Sequence, residues 1–178
     1  MTVVESVMAT STSNGRAGRR SAEPLPDFHS APGHLFRRAR QFHDALWAVY
    51  VEDNLTPLQY AVLTALELEP GIDQRTLGER IALDKSTIGD ILLRLSKRGL
   101  ITRRNDSSDG RRRLLTVTDE GREALYRSAP AVDRIGNDLL APLTPREREQ
   151  LVRLMDKLVY SPAALELSPG TEPANRTS

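Results

Sequence analysis

The sequence predicts a mainly α-helical protein with one small β-hairpin, arranged as a winged helix-turn-helix. Three observations lead there. Apolar residues recur at helical spacing through most of residues 33–160. Nearly every helix start in that stretch carries a capping residue. Two short capped helices are followed directly by two short strands around a basic, turn-rich loop.

The elements follow in order. His34 to Tyr50 carries Leu35, Ala39, Phe42, Leu46 and Val49 at four-three spacing, which is one helix stripe. Phe36, Arg40, His43, Trp47 and Tyr50 form a second stripe beside it. Two adjacent stripes need two buried faces, which suggests a helix at a subunit interface. Thr56, Pro57 and Gln59 form a capping box for a helix carrying Tyr60, Leu63 and Leu66 that stops near Pro70-Gly71. Asp73 caps a third helix with Leu77 and Ile81, and Asp84 caps a fourth from Lys85 to Arg98, closed by Gly99. Ile101 to Arg104 and Arg113 to Val117 read as strands joined by the turn residues from Asn105 to Gly110. Thr118-Asp119-Glu120 opens a long helix with Leu125, Val132, Ile135 and Leu139, in which Pro130 is expected to cause a kink or break. Thr144-Pro145-Arg146-Glu147 is a second capping box, opening a helix with Leu151, Leu154, Met155 and Leu158.

The two ends differ from this core. Residues 1–32 are rich in Ser, Thr, Ala, Gly and Pro, and residues 161–178 read the same way, so both are expected to be disordered tails. The chain of 178 residues has no cysteine, which excludes disulfides, thiolate metal sites and thiol redox sensing. Three histidines, all between His29 and His43, make no convincing metal site, and no cofactor is expected. No run of apolar residues is long enough to span a membrane. The start lacks a charged segment followed by an apolar core, so the expected setting is the cytoplasm. Nothing resembles a Ser-His-Asp set, a phosphate-binding Gly loop or paired carboxylates in an apolar setting, so an enzyme is not expected.

Charge distribution carries the functional signal. The net charge is only +1. From Arg94 to Arg113, however, eight basic residues (Arg94, Lys97, Arg98, Arg103, Arg104, Arg111, Arg112, Arg113) face two acidic ones, Asp106 and Asp109. That is +6 in twenty residues, leaving −5 on the other 158. Such a concentration suits a phosphate-binding surface. On the fourth helix, Ile88, Ile91, Leu92 and Leu95 share one sector and should pack inward. Ser86, Asp90, Leu93 and Lys97 lie opposite, with Thr87 and Arg94 to one side. Lys85, Ser86 and Thr87 are small or polar enough at the helix start to reach base edges in a major groove. Arg94 and Lys97 suit phosphates. Asp90 suits either a cytosine amino group or the orienting of a nearby arginine.

The segments LTPLQYAVLTAL, IDQRTLGERIALDKSTIGDILLRLSKRGLITRR and SSDGRRRLLTVTDEG resemble the MarR (multiple antibiotic resistance regulator) family of bacterial repressors. The resemblance spans about residues 33–160 and is most specific in the hairpin. Asp109 and Arg111 take the family's acidic and DNA-contacting wing positions, while Gly110 departs from a usual basic residue that Arg112 or Arg113 would replace. Arg94 matches the recognition-helix arginine. The resemblance implies a DNA-binding lobe at about 55–118 and intertwined dimerisation helices at about 33–52 and 119–160. It implies a homodimer reading a pseudo-palindromic operator in double-stranded DNA, most often as a repressor of a neighbouring operon. It also implies a small, often aromatic and anionic effector between the dimer helices and the lobe. Arg40, His43, Trp47 and Tyr60 would suit an aromatic carboxylate there, through charge-assisted hydrogen bonds and stacking. The alternative from another class is a winged-helix interaction module, its basic hairpin gripping an acidic protein.

Overall fold

The computed structural model describes residues 27–52, 54–105 and 113–166. The chain divides into two compact units, Met1–Leu35 and Phe36–Ser178. Of the expected tails, residues 1–26 and 167–178 lie outside the described residues. The parts of them that are described have structure. The Asp27 side chain accepts from His29 N at 3.0 Å in a turn that leads into α1 (Pro32–Tyr50). At the other end, where a tail was expected, α7 (Pro162–Glu166) follows Ser161, whose Oγ accepts from Ala164 N at 3.3 Å.

Between them lie α2 (Pro57–Leu68), α3 (Gln74–Arg80), α4 (Lys85–Lys97), β1 (Ile101–Asn105), β2 (Arg113–Val117), α5 (Asp119–Leu139) and α6 (Pro145–Val159). The helix starts obey local chemistry. Thr56, Asp73, Asp84, Thr118 and Thr144 all sit at N-caps, with reciprocal capping boxes at Thr56–Gln59 and Thr144–Glu147. Those hydrogen bonds hold the Glu147 carboxyl below its ordinary pKa, the Thr144 amide contributing most. Gly99, just past α4, adopts φ +73°, a left-handed C-terminal position that glycine takes without a Cβ penalty.

The core lies where α2, α3 and α4 meet the hairpin and the first turns of α5. Val62, Leu63, Leu66, Leu77, Ile88, Leu92, Leu95, Ile101 and Leu115 are its buried centre. All four inward positions expected on α4 are buried. β1 and β2 pair antiparallel, with Ile101 opposite Val117 and Arg103 opposite Leu115. A third pairing was not legible in the sequence. Gly71 N donates to Leu115 O at 2.9 Å and Leu115 N donates to Ile72 O at 3.0 Å, so the segment before α3 stitches onto the free edge of β2. This anchors the hairpin to the start of the helix-turn-helix.

Pro130 does not break α5, which runs as one helix of 21 residues. Leu125 and Ile135 are buried on either side of the proline. Packing of both halves outweighs the one lost backbone hydrogen bond. α1 and α6 behave differently. Only Trp47 of α1 is buried, and no residue of α6 is fully buried. No helix among the described residues is long and apolar enough to cross a membrane, and none of their His, Asp and Glu side chains group to hold a metal.

Candidate nucleic-acid interface and effector site

The turn between α3 and α4 is tight because Gly78 permits it. A Cβ there would lie 3.1 Å from Leu83 O and 3.7 Å from Ile88 Cγ2. Asp84 then fixes the start of α4. Its Oδ1 accepts from Ser86 N (2.9 Å), Ser86 Oγ (2.8 Å) and Thr87 N (2.9 Å), and its Oδ2 accepts from Thr87 Oγ1 (2.6 Å). Four donors to one carboxylate, the Thr87 hydroxyl foremost, hold its pKa well below the usual carboxylate range. The cap therefore stays charged through all but strongly acid conditions. Both hydroxyls spend their protons on Asp84. What Ser86 and Thr87 can offer a partner is an acceptor lone pair, with Ser86 exposed and Thr87 half-buried.

Lys85, Ser86, Asp90, Leu93, Arg94 and Lys97 are exposed together on the side of α4 away from the core. Arg113 is exposed at the start of β2. Asp109, Arg111 and Arg112 lie outside the described residues. Not every member of the basic run faces outward. Arg98 Nη1 donates to Asn54 O at 2.9 Å and lies 3.5 Å from Gln59 Oε1, so this cation braces the end of α4 against the start of α2. Arg103 sits inward on the hairpin, opposite Leu115, and among the described residues its Nε and Nη2 are buried without a hydrogen-bond partner. By charge alone Arg103 counts with the basic run on the DNA-facing surface, but the register of β1 withdraws these two nitrogens from that surface. The outward face of the hairpin is tied by the Thr102 and Thr116 hydroxyls, 2.7 Å apart.

The four effector candidates separate. Trp47 is buried, and its Nε1 donates to Leu55 O at 2.6 Å, so its polar atom is already committed to the backbone. Its ring lies 5.7 Å from Tyr60 in an edge-on arrangement and 5.8 Å from His43. Burial, then the nearby Asp133 charge, pushes the Tyr60 hydroxyl pKa up, against a lowering contact with Thr64, so Tyr60 remains a neutral donor. His43 Nδ1 lies 3.4 Å from Asp44 Oδ1. Arg40 stands apart, its side chain 81% exposed and 3.7 Å from Asp44 Oδ2. Nearby, the Tyr50 hydroxyl donates to Asp138 Oδ2 at 2.6 Å, under the Arg134 guanidinium 4.3 Å above its ring. That hydrogen bond chiefly raises the Tyr50 pKa and ties the end of α1 to α5.

The domain model of the MarR family matches residues 53–112, the segment from before α2 through the hairpin loop. The Transcriptional regulator HosA of Escherichia coli O157:H7 is 36% identical over 126 residues, covering 71% of this chain and 93% of its own. The crystal structure of the PcaV transcriptional regulator from Streptomyces coelicolor, in complex with its natural ligand, superposes with a TM-score of 0.72 at 44% identity. It covers 76% of this chain and 96% of that one. A structure described as the mechanism for regulation of DNA binding of Bordetella bronchiseptica BpsR by 6-hydroxynicotinic acid matches with a TM-score of 0.72 at 31% identity. It covers 75% of this chain and 96% of its own. A capped fourth helix, a basic hairpin stitched to the segment that leads into the helix pair, and similarity over more than nine-tenths of the length of known regulators converge: the chain belongs to the MarR family of transcriptional regulators.

Proposed function

We propose that this regulator is a homodimeric repressor of a neighbouring operon, released from a pseudo-palindromic operator by a small aromatic acid. The carrying observation is the outward side of α4. Lys85, Ser86, Asp90, Arg94 and Lys97 are all exposed on a helix whose start is rigidly capped by Asp84. Lys85, Ser86, Thr87 and Asp90 read base edges in this reading. Arg94 and Lys97 hold phosphates, and Asp109, Arg111, Arg112 and Arg113 serve the wing.

Two faces without a partner in the protomer support the dimer. Phe36, Phe42 and Val49 of α1, and Leu151, Val152, Leu154, Leu158 and Val159 of α6, are large apolar side chains left exposed. Exposed apolar residues in such number on two helices mark an association surface. The lobe at about 55–118 then carries the reading head, and the helices at about 33–52 and 119–160 carry the two-fold contact.

For the effector, the His43, Trp47 and Tyr60 rings supply stacking surface and a phenolic donor. Arg40 reaches an acid only by leaving Asp44, or not at all. The BpsR comparison, with its hydroxylated pyridine carboxylic acid, suggests the ligand class. Coupling of this kind is typically about 1–3 kcal/mol, or roughly 5–150-fold in affinity. Titrating benzoate-, hydroxybenzoate- and nicotinate-type acids into the protein–operator complex tests this. At least one is expected to raise the apparent Kd for DNA within that range and to raise the Tm of the free protein. If every such acid leaves both unchanged, the release mechanism is wrong.

A further inference from the structure

Leu93 is the anomaly on the reading face. The buried residues of α4 (Ile88, Ile91, Leu92 and Leu95) define one side of the helix, and Ser86, Asp90, Leu93 and Lys97 form the opposite stripe. At about 100° per residue, Leu93 stands almost diametrically opposite the core and is 48% exposed. The other exposed residues of the helix are polar or charged, so Leu93 is its one large apolar side chain in water. It lies one turn after Asp90 and one turn before Lys97, between the position assigned to bases and the one assigned to phosphates.

An isolated exposed leucine on any surface needs no explanation. In the middle of a surface built to enter a major groove, it meets one apolar group, the thymine 5-methyl, since the other base edges there present donors and acceptors. An apolar side chain against those polar edges would displace their water without replacing its hydrogen bonds. Against the methyl it buries two apolar surfaces at once.

We propose that Leu93 is a specificity-determining residue that selects a thymine in each operator half-site by contact with its 5-methyl group. This deepens the DNA-binding reading and rests on it. Lys85, Ser86 and Asp90 recognise bases through hydrogen bonds or charge, which do not separate thymine from uracil; Thr87 carries a methyl, but it is half-buried at the helix start, whereas Leu93 stands exposed in the middle of the stripe. Leu93 separates the two bases by a single methyl.

The test begins with duplexes that the full-length protein selects from a random-sequence pool at low ionic strength. In the best duplex each thymine is replaced in turn by deoxyuridine, which removes the 5-methyl and keeps all the hydrogen-bonding groups. Wild-type protein is expected to lose about 3- to 5-fold in affinity at one thymine per half-site, the worth of one buried methyl. Leu93→Ala should lose affinity for the parent duplex and become indifferent to that methyl. Leu93→Met, which stays apolar and long, should keep the sensitivity. Both variants should melt with wild type, because the side chain is outside the core. Selection of a defined sequence with no thymine whose methyl couples to residue 93 overturns the proposal and leaves the DNA-binding reading standing. Selection of no sequence at all overturns both.

Discussion

Replacing Gly121 with alanine is expected to lower stability by about 3 kcal/mol or more, a fall in Tm of roughly 10 °C. Gly121 opens α5 where the helix lies against the end of α4 and the start of β1. Thr118 Oγ1 donates to Gly99 O at 2.7 Å, Thr118 N donates to Leu100 O at 3.1 Å, and Gly121 N donates to Thr118 Oγ1 at 3.0 Å. These bonds bring the first turn of α5 onto the Leu100 carbonyl. An added Cβ would overlap that oxygen and sit 2.6 Å from Val117 Cγ1 and 3.0 Å from Leu100 C. Backbone cannot rotate away as a side chain can, so the helix start must lift and the hydrogen bonds lengthen. Alanine at Gly89 is the control. Its Cβ would meet only Gln74 Nε2 at 3.5 Å, and it should be neutral or mildly stabilising. Denaturant or thermal melts of the two variants check both. Equal stability of Gly121→Ala and wild type would mean that this junction is looser than described.

The second large effect concerns salt. If the proposed dimer engages about six to ten phosphates through two α4 helices and two hairpins, it should lose roughly 10³–10⁵-fold in affinity between 50 and 200 mM monovalent salt. Arg94→Ala removes one cation from each protomer and should flatten the log–log slope by about 1.8, at roughly 0.9 per phosphate contact. It should weaken binding to all duplexes alike, since phosphate contacts carry no sequence. The exposed Arg94 side chain leaves the fold untouched. Fluorescence-anisotropy titrations over that range check this. A slope unchanged by the substitution would take Arg94 off the phosphates.

Local physics and long-range packing divided what the sequence disclosed. Thr56, Asp73, Asp84, Thr118 and Thr144 were readable because a cap is settled within three residues by hydroxyls or carboxylates meeting free amides. The inward face of α4 was readable because burial follows helical period. The edge pairing of Gly71–Ile72 with Leu115 was not, since two residues carry no strand period and their partner lies over forty positions on. Nor was the continuity of α5 through Pro130, where burial of Leu125 and Ile135 overrides a local signal. In the site, the exposure of Arg94 and Lys97 followed from the helix, but the diversion of Arg98 to Asn54 O depended on where α2 begins. Trp47 was readable as a large aromatic on α1. Its hydrogen bond to Leu55 O depended on the chain turning back after Tyr50.

That two α4 helices meet one duplex is checked most directly by the mass of the complex. The purified full-length chain is mixed at low ionic strength with a duplex from upstream of its own coding region, and the complex is weighed by sedimentation or native mass spectrometry. Two chains per duplex, with no singly loaded species at sub-saturating protein, is the expected result. One chain per duplex, or no complex at all, would contradict it.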